Sequence, residues 1–105
     1  MYGLIGKMKA VAGERDRLIA LMSEEVEPMP GCLSYVVARD CDDADGIWIT
    51  EVWVDRESHA ASLALLGVRE LIAKARPLIA EFERHIETQP VGGHGLASTD
   101  FGEHA

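Results

Sequence analysis

Between Pro30 and Val54 the chain reads PGCLSYVVARDCDDADGIWITEVWV, two apolar-rich runs flanking a short acidic stretch. Such a pattern predicts a β-hairpin, with strands at Cys32 to Arg39 and Gly46 to Val54 around a turn at Asp40 to Gly46. A small antiparallel sheet that shows water one face alternates apolar and polar residues. Here Ile47, Ile49, Glu51 and Trp53 fall on one side, and Trp48, Thr50, Val52 and Val54 on the other. Neither side reads as solvated, so both need cover. The chain supplies helices for one layer only, which predicts a homodimer in which the other face packs on a second copy of the sheet.

The flanking segments complete the order. Tyr2 to Lys9 alternates as a strand. Gly13 precedes a predicted helix from Glu14 to about Glu27, with Leu18, Leu21, Met22 and Val26 at helical spacing and Glu14 and Asp16 favouring its dipole. Pro28 and Pro30 stop it. After the hairpin, Asp55 is placed to cap a helix from Arg56 to about Leu66, broken at Gly67. A further helix is predicted from Val68, Leu71, Ile72, Ala75, Ile79 and Phe82, kinked at Pro77, before a last strand from Arg84 to Gln89. The order β-α-β-β-α-β is the α+β, ferredoxin-like split βαβ arrangement. It assigns residues 1–90 to one domain and residues 91–105, rich in glycine and polar residues, to a C-terminal tail.

With 105 residues and 48% hydrophobic content the chain has room for one core. Its 10 basic against 18 acidic residues give a formal charge of −8, which argues against nucleic acid and anionic membrane as partners. No apolar run reaches the ~20 residues of a membrane helix and no signal-peptide order opens the chain, so a cytoplasmic location is expected. Cys32 and Cys41 are separated by an extended span of roughly 30 Å and read as free thiols.

PGCLSY entering the hairpin, the acidic turn, and Glu51-Val-Trp53 ahead of an acid-capped helix together resemble the antibiotic biosynthesis monooxygenase family, including the quinol monooxygenases. The resemblance implies a dimeric α+β barrel with a pocket between sheet and helices. It also implies oxidation of a quinol, phenol or anthrone-like aromatic by dioxygen, with no flavin, haem or metal. An apolar cavity, a proton acceptor and aromatic walls meet the physical requirement. No glycine-rich loop joins a strand to a helix as nucleotide cofactors require.

Three residues are the catalytic candidates. Trp53 is read as a cavity wall, and Glu51 either as an orienting or proton-accepting group or as the partner of Arg69 or Arg76. His59, in the first turn of its helix with Leu63 and Leu66 on the same face, is either the base or a satisfied structural histidine. The family pattern places its helix histidine at the position held here by Ser62. Tyr35, with a hydroxyl to satisfy, heads the substrate-binding candidates, joined by Ser62, Leu63, Leu66 and Phe82, although the spacing of Phe82 also fits helix core.

His85 falls in the last strand and His94 among tail glycines. No set of histidines and acids stands at ligand spacing, so no metal is expected. The acidic turn fails as a calcium loop, because Val52 stands where the final glutamate is needed. Two readings compete with the oxygenase: a non-catalytic dimeric small-molecule-binding or stress-response protein, which Ser62 keeps open, and a haem-degrading relative. The absence of any asparagine weighs against the haem branch, which relies on one.

Overall fold

The computed structural model describes residues 1–24 and 29–97. Strand β1 (Tyr2–Ala10) leads to helix α1 (Arg15–Met22), then to the hairpin β2 (Cys32–Arg39) and β3 (Gly46–Trp53). Helices α2 (Arg56–Ser62) and α3 (Leu66–Ala75) follow, then a 3-10 turn over Arg76–Leu78 and strand β4 (Ile79–Thr88). The sheet order is β2-β3-β1-β4 with every neighbour antiparallel. This is the ferredoxin-like α+β topology that the order of elements predicts.

Helix α1 ends at Met22, earlier than the periodicity indicates. Of the predicted helix positions, Val26, Glu27 and Pro28 lie outside the described residues, as does the tail beyond Ala97. The described part of that tail returns to the sheet, where the Ala97 amide donates to the Leu33 carbonyl at 3.0 Å.

Three expectations about the second helical segment are corrected. First, α2 stops at Ser62 rather than running to Leu66. The amides of Leu63, Ala64 and Leu65 bond back three residues to Ala60, Ala61 and Ser62, and the Ser62 hydroxyl donates to the His59 carbonyl at 2.6 Å. These bonds tighten the last turn and use up its carbonyls. Second, Gly67 does not break a helix but sits in the first turn of α3, where Leu65 provides the extended residue before it. Third, Pro77 ends the helix instead of kinking it. It lacks the amide that would continue the ladder, and Ile79 is already extended.

Strand β4 therefore begins at Ile79, not Arg84, and Phe82 belongs to a strand. The charged residues Glu81, Glu83, Arg84 and Glu87 suit β4 to the edge of the sheet. Two bulges, between Lys7 and Met8 and between Lys9 and Ala10, bend β4 along β1.

The core lies between one sheet face and the helices. Met8, Ala10, Ile47 and Ile49 meet Leu18, Ala75 and Leu78 there. Each large aliphatic side chain so buried contributes about 1.5–3 kcal/mol. No described helix packs on the opposite face. Ile5, Ala38, Trp48, Val52 and Ile86 share it with Val36, which keeps 51% of its surface exposed. The acidic turn is more than a solvated loop. Asp40 accepts from the amides of Asp42 and Asp43 at 2.8 and 2.9 Å, and Lys7 lies 3.5 Å from its carboxylate.

Candidate functional site

Strand β3 turns Ile47, Ile49, Glu51 and Trp53 toward the helices, and its register fixes what stands beside them. Tyr35 on β2 pairs directly with Glu51, and Leu4 on β1 pairs with Glu51 from the other side. The irregularity between Cys32 and Ser34 absorbs one extra residue in β2 and sets this register.

Beyond Trp53 the chain turns into α2. Asp55 accepts from the Ser58 amide at 2.7 Å, which fixes the first turn and places His59 back over the end of the sheet. Gly31 makes this close approach possible. Its φ is +88°, and a Cβ there would stand 2.6 Å from the Ser58 side chain and 2.8 Å from Val54, so the loop before β2 lies against the start of α2.

These elements enclose a cavity of about 850 Å³ between the sheet and the helices. Tyr35, Glu51, Trp53 and His59 line one end, with Met8, Ile79 and Phe82 toward the other. Along β3 the offset between the Tyr35–Glu51 pair and the Met8–Ile47 pair is four residues, or roughly 13 Å at the rise of a strand. The rest of the wall is mostly aliphatic and thioether, including Met22, Val68, Leu71 and Ile72.

At the polar end the contacts are specific. The Trp53 indole N–H donates to Glu51 Oε1 at 2.9 Å, and His59 Nε2 lies 3.9 Å from the same oxygen. The His59 ring stands edge-on to Trp53, centroids 5.4 Å apart. Glu51 and His59 are mostly enclosed, with 17% and 20% of their side-chain surface open. A carboxylate in such a place needs a donor, and Trp53 supplies it in place of the expected Arg69 or Arg76. Arg76 instead lines the cavity elsewhere.

Tyr35 is 38% exposed, yet protein surrounds its hydroxyl. Burial first, then the nearby Glu51 and Cys32, push that hydroxyl up to about 12. It therefore remains an O–H donor throughout the neutral range. Together the four side chains offer an imidazole and a carboxylate within reach of each other, a phenol donor across the strand pair, and an indole wall.

Of the other candidates, Ser62 is buried at the cavity wall, but its hydroxyl is turned to its own helix. Leu63 lines the cavity. Leu66 does not. The end of α2 at Ser62 removes it from the His59 face, and it is 68% exposed. Phe82 lines the cavity from β4, 72% exposed, so it stands at the rim and not in a helical core. His85 on β4 is likewise outside the lining.

Sequence reasoning missed Tyr2, whose ring lies 5.8 Å from that of His59, and the methionines Met8, Met22 and Met29 of the wall. The pairing of Tyr2 opposite Trp53 was the signal that an explicit β1–β3 register supplies. Among the described residues no three histidine, cysteine, aspartate or glutamate side chains are grouped to hold a metal ion. Cys32 and Cys41 are free thiols. No described helix is long and apolar enough to cross a membrane.

The profile of the antibiotic biosynthesis monooxygenase family matches residues 1–74. A crystal structure from Chloroflexus aurantiacus J-10-fl, described as a candidate antibiotic biosynthesis monooxygenase, is 61% identical. It covers 91% of this chain and 98% of its own, with a TM-score of 0.88. Candidate members from Nitrosomonas europaea and Deinococcus radiodurans share the fold at 15% and 24% identity, with TM-scores of 0.77 and 0.69. They cover 88% and 89% of this chain, and 100% and 95% of their own. A search of curated proteins returned no match.

Proposed function

Because this chain belongs to the antibiotic biosynthesis monooxygenase family, we propose that it is a cofactor-independent monooxygenase acting on a quinol, phenol or anthrone-like aromatic with dioxygen. The observation that carries this reading is the Glu51–His59 pair at one end of a mostly apolar cavity. Such a site binds a flat, uncharged aromatic by its walls and meets its one acidic hydroxyl or methylene at the polar end.

In this mechanism His59 takes the substrate proton, and the imidazolium so formed is stabilised by Glu51, 3.9 Å away. Tyr35, held protonated, donates to the substrate oxygen and stabilises the anion. The anion passes one electron to dioxygen, the radical pair joins as a peroxide anion, and the His59 imidazolium returns its proton to give the hydroperoxide. For an anthrone-like methylene, loss of water then leaves a carbonyl, so one dioxygen yields one ketone oxygen and one water. Trp53 closes the wall behind the reacting centre, and exclusion of water protects the anion from reprotonation.

The uncovered sheet face supports a homodimer. Ile5, Val36, Trp48, Val52 and Ile86 make this face largely apolar around Thr50, and a second copy of the same sheet would bury it.

Oxygen uptake by metal-stripped protein over quinols, hydroxynaphthoquinones and anthrones tests the proposal. Uptake lost in a folded Glu51→Gln, His59→Ala double variant is the expected result; no uptake by the wild-type protein on the whole panel contradicts it. A second reading, a binding protein of the same fold, is favoured by one observation: Ser62 holds the family's histidine position and spends its hydroxyl on the His59 carbonyl. Quenching of tryptophan fluorescence by the same aromatics, without oxygen uptake, is its signature.

A further inference from the structure

We infer that Tyr2 is the positioning residue for His59, packing with Trp53 against the imidazole so that Nε2 faces Glu51. Tyr2 begins β1, opposite Trp53 in the sheet register. Its ring lies 5.8 Å from the His59 ring, tilted by 43°, and the Trp53 ring lies 5.4 Å from the same imidazole at 70°. The imidazole is thus gripped from β1 and β3 and carried by α2.

Tyr2 is itself held by two contacts, and its two partners are paired with each other. Its hydroxyl donates to Glu87 Oε2 on β4 at 2.5 Å. Arg56 places its guanidinium 4.9 Å over the Tyr2 ring and its Nη1 3.0 Å from the same Glu87 oxygen. Arg56 and His59 are three residues apart on α2 and so share a face, which lets one tyrosine contact both. The Glu87 carboxyl is held below the ordinary carboxylate range, first by the Tyr2 hydroxyl and then by Arg56, so the acceptor is ionised at neutral pH. Each exposed contact is weak alone. A closed triangle of Tyr2, Glu87 and Arg56 leaves the ring little freedom, and the imidazole inherits that order. His59 makes no hydrogen bond of its own through its ring to a neighbouring backbone group among the described contacts. Ring packing therefore does the orienting that a hydrogen bond performs at many catalytic histidines.

The inference rests on the reading of His59 as proton acceptor, and two readouts separate the two ideas. The first is the proton NMR signal of the His59 ring, followed through a pH titration without substrate. The second is oxygen uptake with its pH profile. In folded Tyr2→Ala the His59 signal leaves its ring-current-shifted position. The kcat falls roughly tenfold or more with little change in KM, as expected when a reacting group loses its alignment. Tyr2→Phe, which keeps the ring and loses the Glu87 tether, falls between Tyr2→Ala and wild type. If Tyr2→Ala does not fold, Tyr2→Phe and Glu87→Gln carry the same measurement. An altered His59 signal in a protein with no oxygen uptake upholds the positioning and overturns the oxygenase reading. An unchanged signal and pH profile in the folded variants overturns the role of Tyr2.

Discussion

Glu51 and Trp53, two residues apart on one strand, satisfy each other: the indole N–H of Trp53 donates to Glu51 Oε1 at 2.9 Å. The tryptophan is almost wholly buried and the glutamate nearly so. Glu51 therefore has a structural task and, in the proposed reaction, a chemical one, and the two separate by substitution. Glu51→Leu leaves a buried N–H unpaired and is expected to destabilise the fold by about 1–3 kcal/mol. Glu51→Gln keeps an acceptor oxygen and should change stability far less, yet removes the charge that favours a protonated His59. Denaturation midpoints compared with oxygen uptake check both arms. Equal stability loss in the two variants contradicts the assignment.

The acidic turn makes stability fall at low pH. Asp40 has its carboxyl lowered from 3.8 to about 2, first by the Asp42 amide and the Trp48 indole, and further by Lys7 and the Asp43 amide. A carboxyl depressed by folding stabilises the native state above its ordinary value and loses that contribution as pH falls through its folded value. The window is therefore about pH 4 to 2, and the lowered carboxyls of Asp43, Asp55 and Glu87 act with the same sign. Urea midpoints measured from pH 5 to 2 should fall less steeply for Asp40→Asn than for wild type. Parallel curves would remove Asp40 from the account.

Gly31 is expected to tolerate no side chain. Both its positive φ and the closeness of Ser58 and Val54 oppose a Cβ. Gly31→Ala should cost more than about 1 kcal/mol, seen as a lower denaturation midpoint. A substitution of Gly13, whose φ is +81° but which has open space around it, should be milder. The reverse order contradicts the packing of this loop on α2.

On the open sheet face, Val36→Arg places a charge among the apolar residues at the β2 edge of the sheet. Sedimentation equilibrium should then report a dimer for the wild type and a monomer for the variant, with the circular dichroism unchanged. A wild-type monomer, or a variant that stays dimeric, rules this face out as the interface.

Much of the fold was legible because the hairpin pattern carries two signals at once. Strand β2 has the predicted bounds, and the side of β3 that meets the helices is Ile47, Ile49, Glu51 and Trp53 as the alternation indicates. The errors cluster after Asp55, where local chemistry outweighs periodicity. Val68 to Ala75 and then Ile79 and Phe82 keep helical spacing, but Pro77 withholds an amide, and the same residues also fit an edge strand. Ser62 ended α2 through its own hydroxyl, a competition that hydrophobic spacing does not register.

For the site, the sequence supplied its members better than their relations. Glu51, Trp53, His59 and Tyr35 were each singled out, and the structure brings them to one end of one cavity. That Trp53 would be the partner of Glu51 depends on side-chain rotamers within a strand, and Tyr2 enters only through the pairing of β1 with β3. Leu66 was lost with the helix turn that was to carry it.

The most direct measurement is the rate of oxygen consumption by metal-stripped wild-type protein and by His59→Ala, on whichever quinol or anthrone quenches the tryptophan fluorescence of both. The account predicts turnover by the wild type and a loss on the order of 10²–10⁴-fold in the variant, the range for removing a general base, with binding retained. Equal rates in the two proteins would contradict it.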